Sequence, residues 1–418
     1  MSKKLETILA LSMAVISLAG CANSGFNQPL RSDSLSSNSG YHDSFDAKGI
    51  STKYVTVSFK KDLDQAGRDR FAERYGTKFQ RYIAPIKAAQ ILVPSGSSAD
   101  SFVKELSKGA EIRSAELSSK AYIDMKINDP KAKDQWSLEK ISLPQAWDVT
   151  MGEASVKIAI CDSGVDLDHP DLKDKIVPGY NVLDPKALPR DDGGHGTHVA
   201  GIVAASTNNG VGVAGIAAKC SIMPVKVLGE KGGSEATIAE GIVWAADHGA
   251  DVINTSLGIH QESKVVEDAV KYALSKNVVF VASAGNNNQN EKVHLPSTVE
   301  GVIEVAASTS SDEKAKFSNW GQQLSVAAPG QKILSTFPTY KVSLNDSGYT
   351  KNYAVLDGTS MASPLVAGLA ALIRSKHPGM KPAEVKKIIE NSADDLGGKG
   401  YDKYFGWGRV NAAKALAK

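Results

Sequence analysis

The sequence has almost no excess of charge of one sign. Its 418 residues carry 48 Lys and Arg against 46 Asp and Glu, a net charge of +2, with no run of like charges. A protein that binds nucleic acid by electrostatics needs a basic face on which such charges cluster. The balanced charge therefore argues against nucleic acid as a partner.

The sequence also has no apolar run long enough to span a membrane. A shorter apolar run lies near the N-terminus. Lys3 and Lys4 precede an apolar run over residues 8–18, which is too short to span a bilayer as a helix. A basic start, a short apolar run and small residues after it are typical of an export signal. We therefore expect an exported protein with residues 1–20 as its signal peptide.

Cysteine is scarce, with three residues in the whole chain, Cys21, Cys161 and Cys220. Cys161 ends one predicted strand and Cys220 opens another. If those strands are parallel neighbours, several residues of rise separate the two sulfurs, which is beyond the reach of a disulfide. We expect two buried free thiols, and a disulfide is the alternative for an exported pair.

Two different patterns follow the signal peptide. Residues 21–51 are rich in Ser, Asn, Asp and Gly and predict a flexible tether. Residues 52–124 show the element order β-α-β-β-α-β, in which Gly76 closes the first helix and Ser98 caps the second. That order predicts a small ferredoxin-like unit, but by itself it says nothing about function.

Residues 125–418 have the pattern of an α/β domain. Short apolar runs alternate there with helical segments, which predicts a parallel sheet with helices on both faces. Ligands of such folds bind beyond the carboxyl ends of the strands. The predicted strands cover residues 156–161, 222–227, 252–255, 278–282 and 302–306.

Three segments of this domain supply a carboxylate, an imidazole and a hydroxyl. Asp162 follows the first predicted strand, His195 precedes a helix of small residues, and Ser360 lies at the N-terminus of another helix. Each alone has an ordinary explanation as a turn cap, a buried histidine or a helix cap. Together, in the order Asp, His, Ser at one edge of one sheet, they favour a catalytic triad.

These segments (160–166, 195–201 and 358–364), with 317–321 and 406–411, resemble the catalytic domain of subtilisin-like serine proteases, the subtilases. The resemblance covers residues 129–418 and implies a serine endopeptidase with the triad Asp162, His195 and Ser360. It implies His198 as a neighbouring helical residue and Asn286 as the oxyanion donor beside the Ser360 N–H. The primary substrate pocket would be flanked by Ser256, Leu257, Gly258, Ala284 and Gly285.

The resemblance also implies a Ca²⁺ site in the loop 206–213. Hard oxygen ligands in an irregular arrangement suit this ion. An ordinary hydrogen-bonded loop is the alternative. The ligands would be the carbonyls of Ser206, Val211 and Val213, the side-chain oxygen of Asn209, and the carboxylates of Asp171 and Asp129.

Two further resemblances concern the front of the chain. Residues 18–21 resemble the lipobox of bacterial lipoproteins, which implies lipid on Cys21 and a membrane-anchored protein of the bacterial cell envelope. A plain secretory signal is the alternative. Residues 52–124 resemble a subtilase propeptide, an intramolecular inhibitor that is cut off near Tyr122. A permanent accessory domain is the alternative to this second resemblance.

Together these features predict a monomeric endopeptidase that acts on proteins or peptides and is made as a self-processing zymogen. Cleavage near Tyr122 would separate the mature enzyme from the lipid on Cys21, so maturation could release it from the membrane. Two other functions stay open. One is a processing protease dedicated to a single partner substrate, and the other is a catalytically silent lipoprotein that serves as a binding module.

Overall fold

The computed structural model describes residues 43–45, 49–119, 127–290 and 293–418, and it divides into two compact units, residues 1–120 and 121–418. The predicted signal peptide, Cys21 and Tyr122 lie outside the described residues. None of the helices in the described ranges combines the length and the apolarity needed to cross a membrane.

The first unit has the predicted order β-α-β-β-α-β. In its described part, four antiparallel strands form a sheet of order β2-β3-β1-β4, the strand order of a ferredoxin-like unit. The elements are β1 (Ile50–Phe59), α1 (Gln65–Tyr75), β2 (Phe79–Ile83), β3 (Ala88–Leu92), α2 (Ala99–Leu106) and β4 (Ile112–Ser119), with a 3-10 turn at Ala84–Ile86.

The local signals of the first unit act as expected. Gly76 ends α1 in the left-handed region at φ 60°, and the Ser98 side chain accepts a hydrogen bond from the N–H of Ser101 at 3.2 Å. Phe59 and Phe71 meet edge to face at 5.1 Å in a core that both helices help to form. The first strand begins at residue 50, inside the predicted tether, because residues 44 and 45 pair with it.

The second unit is built on a parallel sheet with strand order β11-β10-β9-β8-β5-β7-β6, beside a hairpin formed by β12 and β13. The strands are β5 (Lys157–Asp162), β6 (Tyr180–Asn181), β7 (Ser221–Lys226), β8 (Val252–Thr255), β9 (Val279–Ser283), β10 (Ile303–Ser308), β11 (Val326–Pro329), β12 (Ile333–Phe337) and β13 (Asn352–Leu356).

The helices of the second unit lie on both faces of this sheet. They are α3 (Trp136–Lys140), α4 (Leu143–Trp147), α5 (His195–Ala204), α6 (Glu235–Asp247), α7 (Lys264–Ser275), α8 (Thr359–Lys376), α9 (Pro382–Ser392) and α10 (Ala412–Leu416). Short 3-10 turns occur at Ala132–Asp134, Lys173–Lys175 and Ser343–Ser347.

The packing of strand β5 explains why its sequence is a continuous apolar run. Ile158 and Ile160 pack into the core that contains α5 and α8, whereas Ala159 and Cys161 pack into the core that contains α6 and α7. Both faces of the strand are therefore buried, as in a parallel sheet covered by helices on each side. This arrangement confirms the predicted fold class.

The two cysteines of this domain are buried free thiols, as predicted. Strands β5 and β7 are parallel neighbours in which Cys161 pairs with Val225, while Cys220 comes just before β7 begins. The two sulfurs therefore lie near opposite ends of adjacent strands, too far apart for a disulfide.

The hairpin of β12 and β13, which the sequence analysis did not predict, is bonded to α5. The Ser335 hydroxyl donates to the carbonyl of His198 at 2.7 Å, and the Thr336 hydroxyl donates to that of Thr197 at 2.7 Å. In return, His198 Nε2 lies 3.0 Å from the carbonyl of Ala354. Since that carbonyl can only accept, the imidazole carries its proton on Nε2.

His198 makes the stability of this unit depend on pH. The side chain is fully buried, and burial lowers its pKa to about 3. An unfolded histidine titrates near pH 6.5, so between about pH 3 and 6.5 the unfolded state binds the extra proton. We therefore expect the free energy of unfolding to fall as pH drops below about 6.5. Urea unfolding from pH 4 to pH 7, in a Ser360→Ala background to prevent self-digestion, measures this slope.

His198→Gln keeps an N–H donor for Ala354 but removes the titrating ring. It should reduce the slope below pH 6.5, whereas Ser310→Ala, at an exposed position, should leave the slope unchanged. An unaltered slope in His198→Gln would assign the pH dependence to other groups.

Candidate active site

The three predicted triad residues come from three elements of the second unit. Asp162 is the last residue of β5, His195 the first of α5 and Ser360 the second of α8. The Asp162 side chain is completely buried, whereas that of His195 is 28% exposed. The carboxylate is thus shielded from water, while the imidazole and the partly buried Ser360 are accessible to a substrate.

A hydrogen bond joins the predicted acid and base. His195 Nδ1 lies 2.8 Å from Asp162 Oδ1, which also accepts the N–H of Ser163 at 2.7 Å. Burial opposes a charge on the ring, but the adjacent carboxylate of Asp162 outweighs it, so the pKa of His195 is raised. With Nδ1 engaged by Asp162, Nε2 is the nitrogen left to exchange a proton with a substrate or nucleophile.

The start of α5 fixes the position of His195. Asp191 accepts the N–H groups of Gly194 at 2.8 Å and Thr197 at 2.9 Å, and the hydroxyl of Ser163 at 2.8 Å. This buried carboxylate therefore caps the helix and joins it to the end of β5. Sequence reasoning missed Asp191, although an acidic residue just before a predicted helix is a recognisable cap signal.

Gly196 is required by the close approach of α5 to β5. A Cβ at Gly196 would lie 2.1 Å from the carbonyl oxygen of Gly164 and 3.1 Å from the Cβ of Asp162. Only glycine lets the helix come near enough for His195 to reach the carboxylate.

The predicted nucleophile is held by bonds to the end of β8. Ser360 Oγ donates to the carbonyl of Ser256 at 3.2 Å, and Ser256 Oγ donates to the carbonyl of Ser360 at 2.9 Å. Behind them, Asn254 donates to Ser256 Oγ at 3.0 Å and accepts from Ser363 at 2.7 Å. In the described part of the chain, Ser360 has no hydrogen bond to His195, and such catalytic bonds often tighten only when substrate binds.

Asn286 is oriented by the residue before the nucleophile. Its side-chain oxygen accepts the N–H and the hydroxyl of Thr359, both at 2.9 Å, so the amide nitrogen faces away from them. A Cβ at Gly358 would lie 3.6 Å from Asn286 Nδ2 and 3.6 Å from the N of Ser360. The two predicted oxyanion donors therefore border the same small space.

The predicted substrate segments follow two neighbouring strands. Residues 256–258 come after β8 and residues 284–285 after β9, and these strands pair in parallel. Asn319 supports the second segment because its amide donates to the carbonyl of Ala284 at 3.0 Å. The two segments therefore lie side by side at the carboxyl edge of the sheet.

The predicted calcium loop gathers two buried carboxylates. Asp171 accepts the side-chain N–H of Asn209 at 2.9 Å and the N–H of Val213 at 3.0 Å, and Asp129 accepts the N–H of Asn209 at 3.0 Å. Asp171 is fully buried and Asp129 is 4% exposed, and neither forms a salt bridge within the described residues. Burial raises the pKa of Asp171.

Two buried carboxylates without a cationic side chain fit a bound cation, because buried charges need pairing. No group of three His, Cys, Asp or Glu side chains that could hold a metal occurs within the described ranges. Carbonyl and amide oxygens would therefore supply the other ligands, a set that suits Ca²⁺. Asn209 would have to rotate its amide, whose oxygen accepts the N–H of Val211 at 2.8 Å.

Comparisons with known proteins agree with this architecture. The sequence profile described as the Subtilase family matches residues 153–408, and that described as the fervidolysin N-terminal prodomain matches residues 53–118. Thermitase of Thermoactinomyces vulgaris is 44% identical over 291 residues, which are 69% of this chain and 98% of thermitase. An extracellular protease of Xanthomonas campestris pv. campestris is 35% identical over 350 residues, covering 72% and 59% of the two chains.

A solved structure resembles both units. Fervidolysin of Fervidobacterium pennivorans, described as a keratinolytic enzyme related to subtilisin, superposes with a TM-score of 0.63 and is 31% identical. The match covers 90% of this chain and 62% of fervidolysin.

The orientation of Asn286 predicts its contribution to catalysis. Asn286→Leu should lower kcat about 100- to 1,000-fold with little change in KM, because a donor to the developing oxyanion is lost. Thr359→Val, which removes the hydroxyl that orients the amide and that also accepts the N–H of Gly285 at 3.1 Å, should have a smaller effect. Asn287→Ala, at the next exposed position, should match the wild type. Steady-state kinetics on one peptide substrate tests all three, and an unchanged kcat in Asn286→Leu would remove Asn286 from the site.

The buried carboxylates predict that Ca²⁺ stabilises the second unit. In the Ser360→Ala background, the unfolding temperature should rise with Ca²⁺ and fall with a chelator. When the free Ca²⁺ concentration is 100 times the dissociation constant, binding should add about 2.7 kcal/mol to the free energy of unfolding. Asp171→Asn should abolish this response. If the unfolding temperature of the Ser360→Ala protein responds to neither Ca²⁺ nor the chelator, the segment is an ordinary hydrogen-bonded loop.

Proposed function

This chain belongs to the subtilase family of serine endopeptidases, and we propose that it cuts peptide bonds with the triad Asp162, His195 and Ser360. The observation that carries the proposal is the 2.8 Å hydrogen bond from His195 to the buried Asp162, at the sheet edge where Ser360 lies in the first turn of α8. Asn286 is the proposed side-chain donor to the oxyanion.

The first step is the attack of Ser360 Oγ on the substrate carbonyl carbon. A serine hydroxyl is a weak nucleophile, so His195 Nε2 takes its proton as the new C–O bond forms. Asp162 holds the proton on Nδ1, keeps the ring in the required tautomer and stabilises the imidazolium. The raised pKa of His195 supports this role, since it reflects stabilisation of the charged ring.

The tetrahedral intermediate carries a negative oxygen, which Asn286 Nδ2 and the N–H of Ser360 would stabilise. His195 then returns its proton to the leaving amine as the C–N bond breaks, leaving an acyl group on Ser360. Water attacks this ester as His195 takes its proton, and His195 then returns that proton to Ser360 Oγ as the ester C–O bond breaks and the acid product leaves. Thr359 and Ser256 position the donor and the nucleophile before substrate arrives, so little reorganisation is needed during reaction.

The front unit is a fervidolysin-type prodomain, which indicates a zymogen. We propose that it inhibits the enzyme until Ser360 cuts the chain between about Tyr122 and Met125, outside the described residues. The N-terminal signal pattern and the likeness to a named extracellular protease support export. The lipobox-like sequence supports lipid on Cys21 and a zymogen tethered to a membrane until this cleavage releases it.

Calcium has a structural role in this proposal. Asp171, Asp129 and Asn209, with the carbonyls of Ser206, Val211 and Val213, would hold the ion in the loop after α5. When bound, it would neutralise two buried carboxylates. No catalytic step depends on it.

Ser360→Ala tests the function and the maturation together. The variant should accumulate as the full-length chain, fail to react with an organophosphonate probe and have no peptidase activity. The wild type should be processed and labelled at Ser360, and Ser310→Ala, at an exposed position, should behave in the same way. If Ser360→Ala is still processed in purified form, the cleavage is not its own. A wild type that stays anchored while fully active would contradict release from the membrane.

A peptide-library cleavage profile separates the remaining functions. A broad profile supports a general endopeptidase, and cleavage of one motif alone would indicate a dedicated processing protease. A chain that neither labels with the probe nor cleaves any peptide would be the catalytically silent binding module.

A further inference from the structure

His294 lies between the two segments that are predicted to flank the primary substrate pocket. A Cβ built on Gly258 would lie 1.9 Å from His294 Nε2, and one built on Gly285 would lie 2.9 Å from the same atom. The same edge of the imidazole therefore contacts the backbones of both segments. Its side chain is only 4% exposed, so the ring is enclosed by the protein.

Polar groups hold the ring from the other side. His294 Nδ1 lies 3.2 Å from Ser297 Oγ, which in turn lies 2.8 Å from the carboxylate of Glu304. Ser297 is 2% exposed and Glu304 is 5% exposed. Moving the imidazole away would leave these buried polar groups with fewer partners, which is unfavourable.

The backbone beside His294 is held as well. Ile259 and Leu295 form an antiparallel bridge with two hydrogen bonds of 2.9 Å, one in each direction. This bridge joins the residue after Gly258 to the residue after His294. The imidazole is therefore fixed to one wall of the predicted pocket by the main chain as well as by its side-chain contacts.

We propose that His294 fills the inner part of this pocket and so restricts the enzyme to substrates with a small side chain before the scissile bond. The inference rests on the proposed function. Strands β8 and β9 are adjacent, and neighbouring strands lie about 4.7–4.9 Å apart, so the slot beyond their ends is narrow. A ring in contact with Gly258 and Gly285 leaves no room for an aromatic substrate side chain between them.

The position of the His294 ring also explains why residues 258 and 285 are glycines. Any side chain at Gly258 would overlap the His294 ring, and Gly285 has a positive φ of 97° and is also close to the amide of Asn319. In a pocket without His294, these glycine backbones would instead form flat walls for a substrate side chain. The imidazole thus takes the place that a large side chain of the substrate would occupy.

Peptide substrates that differ only in having Ala or Phe before the scissile bond test this proposal. The wild type should prefer Ala. His294→Gly should raise the ratio of kcat/KM for Phe over Ala by at least about 10-fold, because a single methylene in an apolar pocket already changes discrimination by about 10- to 200-fold. His294→Phe should keep the preference for Ala. His248→Ala, a histidine exposed at the end of α6, should leave the ratio unchanged.

Three results would overturn the proposal. One is a wild type that prefers Phe, and another is a ratio that does not change in an active His294→Gly enzyme. The third is a wild-type preference for Asp or Glu that disappears in His294→Gly, which would make the imidazole a charge partner. If His294→Gly does not fold, the wild-type preference alone decides. Organophosphonate labelling separates this failure from that of the proposed function, because a wrong pocket assignment leaves Ser360 labelled.

Discussion

The hydrogen bond between Asp162 and His195 is the interaction on which the rest of the site depends. A fully buried carboxylate is costly unless donors surround it, and this one accepts the His195 ring and the N–H of Ser163. This bond forms only if α5 comes into contact with β5, and Gly196 allows that close approach. The helix must also begin at a fixed residue, and the cap formed by Asp191 fixes its start. The same contact stabilises the imidazolium of the proposed mechanism, because the Asp162 carboxylate raises the pKa of the His195 ring.

The parallel sheet supplies the second constraint. Since all of its strands run in one direction, the residues that follow β5, β8 and β9 meet at one edge, and the N-termini of α5 and α8 arrive there too. Each functional side chain is then locked by a neighbour from another strand or helix, as Ser256 locks Ser360 and Thr359 locks Asn286. The proposed site is therefore preorganised by buried polar contacts, and the proposed substrate selection depends on what occupies the space between the same strand ends.

Local sequence patterns predicted much of this architecture. The five strands predicted for the catalytic domain, the order of elements in the prodomain and the caps at Gly76 and Ser98 agree with the structure because they depend on residues close together in the chain. The hairpin of β12 and β13 was missed because its strands are short and its bonds go to α5, far away in sequence. The roles of Asn254 and Asp191 were missed for a related reason, since a polar residue in a buried strand or loop does not reveal its partner.

The sequence alone determined the fold class, the family resemblance and the candidate residues of the triad, because strand periodicity, helix caps and short motifs are local properties. Only the tertiary structure decided which buried groups meet. It placed the His294 ring against Gly258 and Gly285, and it brought Asp129 and Asp171 from separate segments to Asn209, without a cationic partner in the described residues. Such contacts depend on the order of strands in the sheet and on how closely helices pack against it, and no pattern within a short stretch of sequence contains that information.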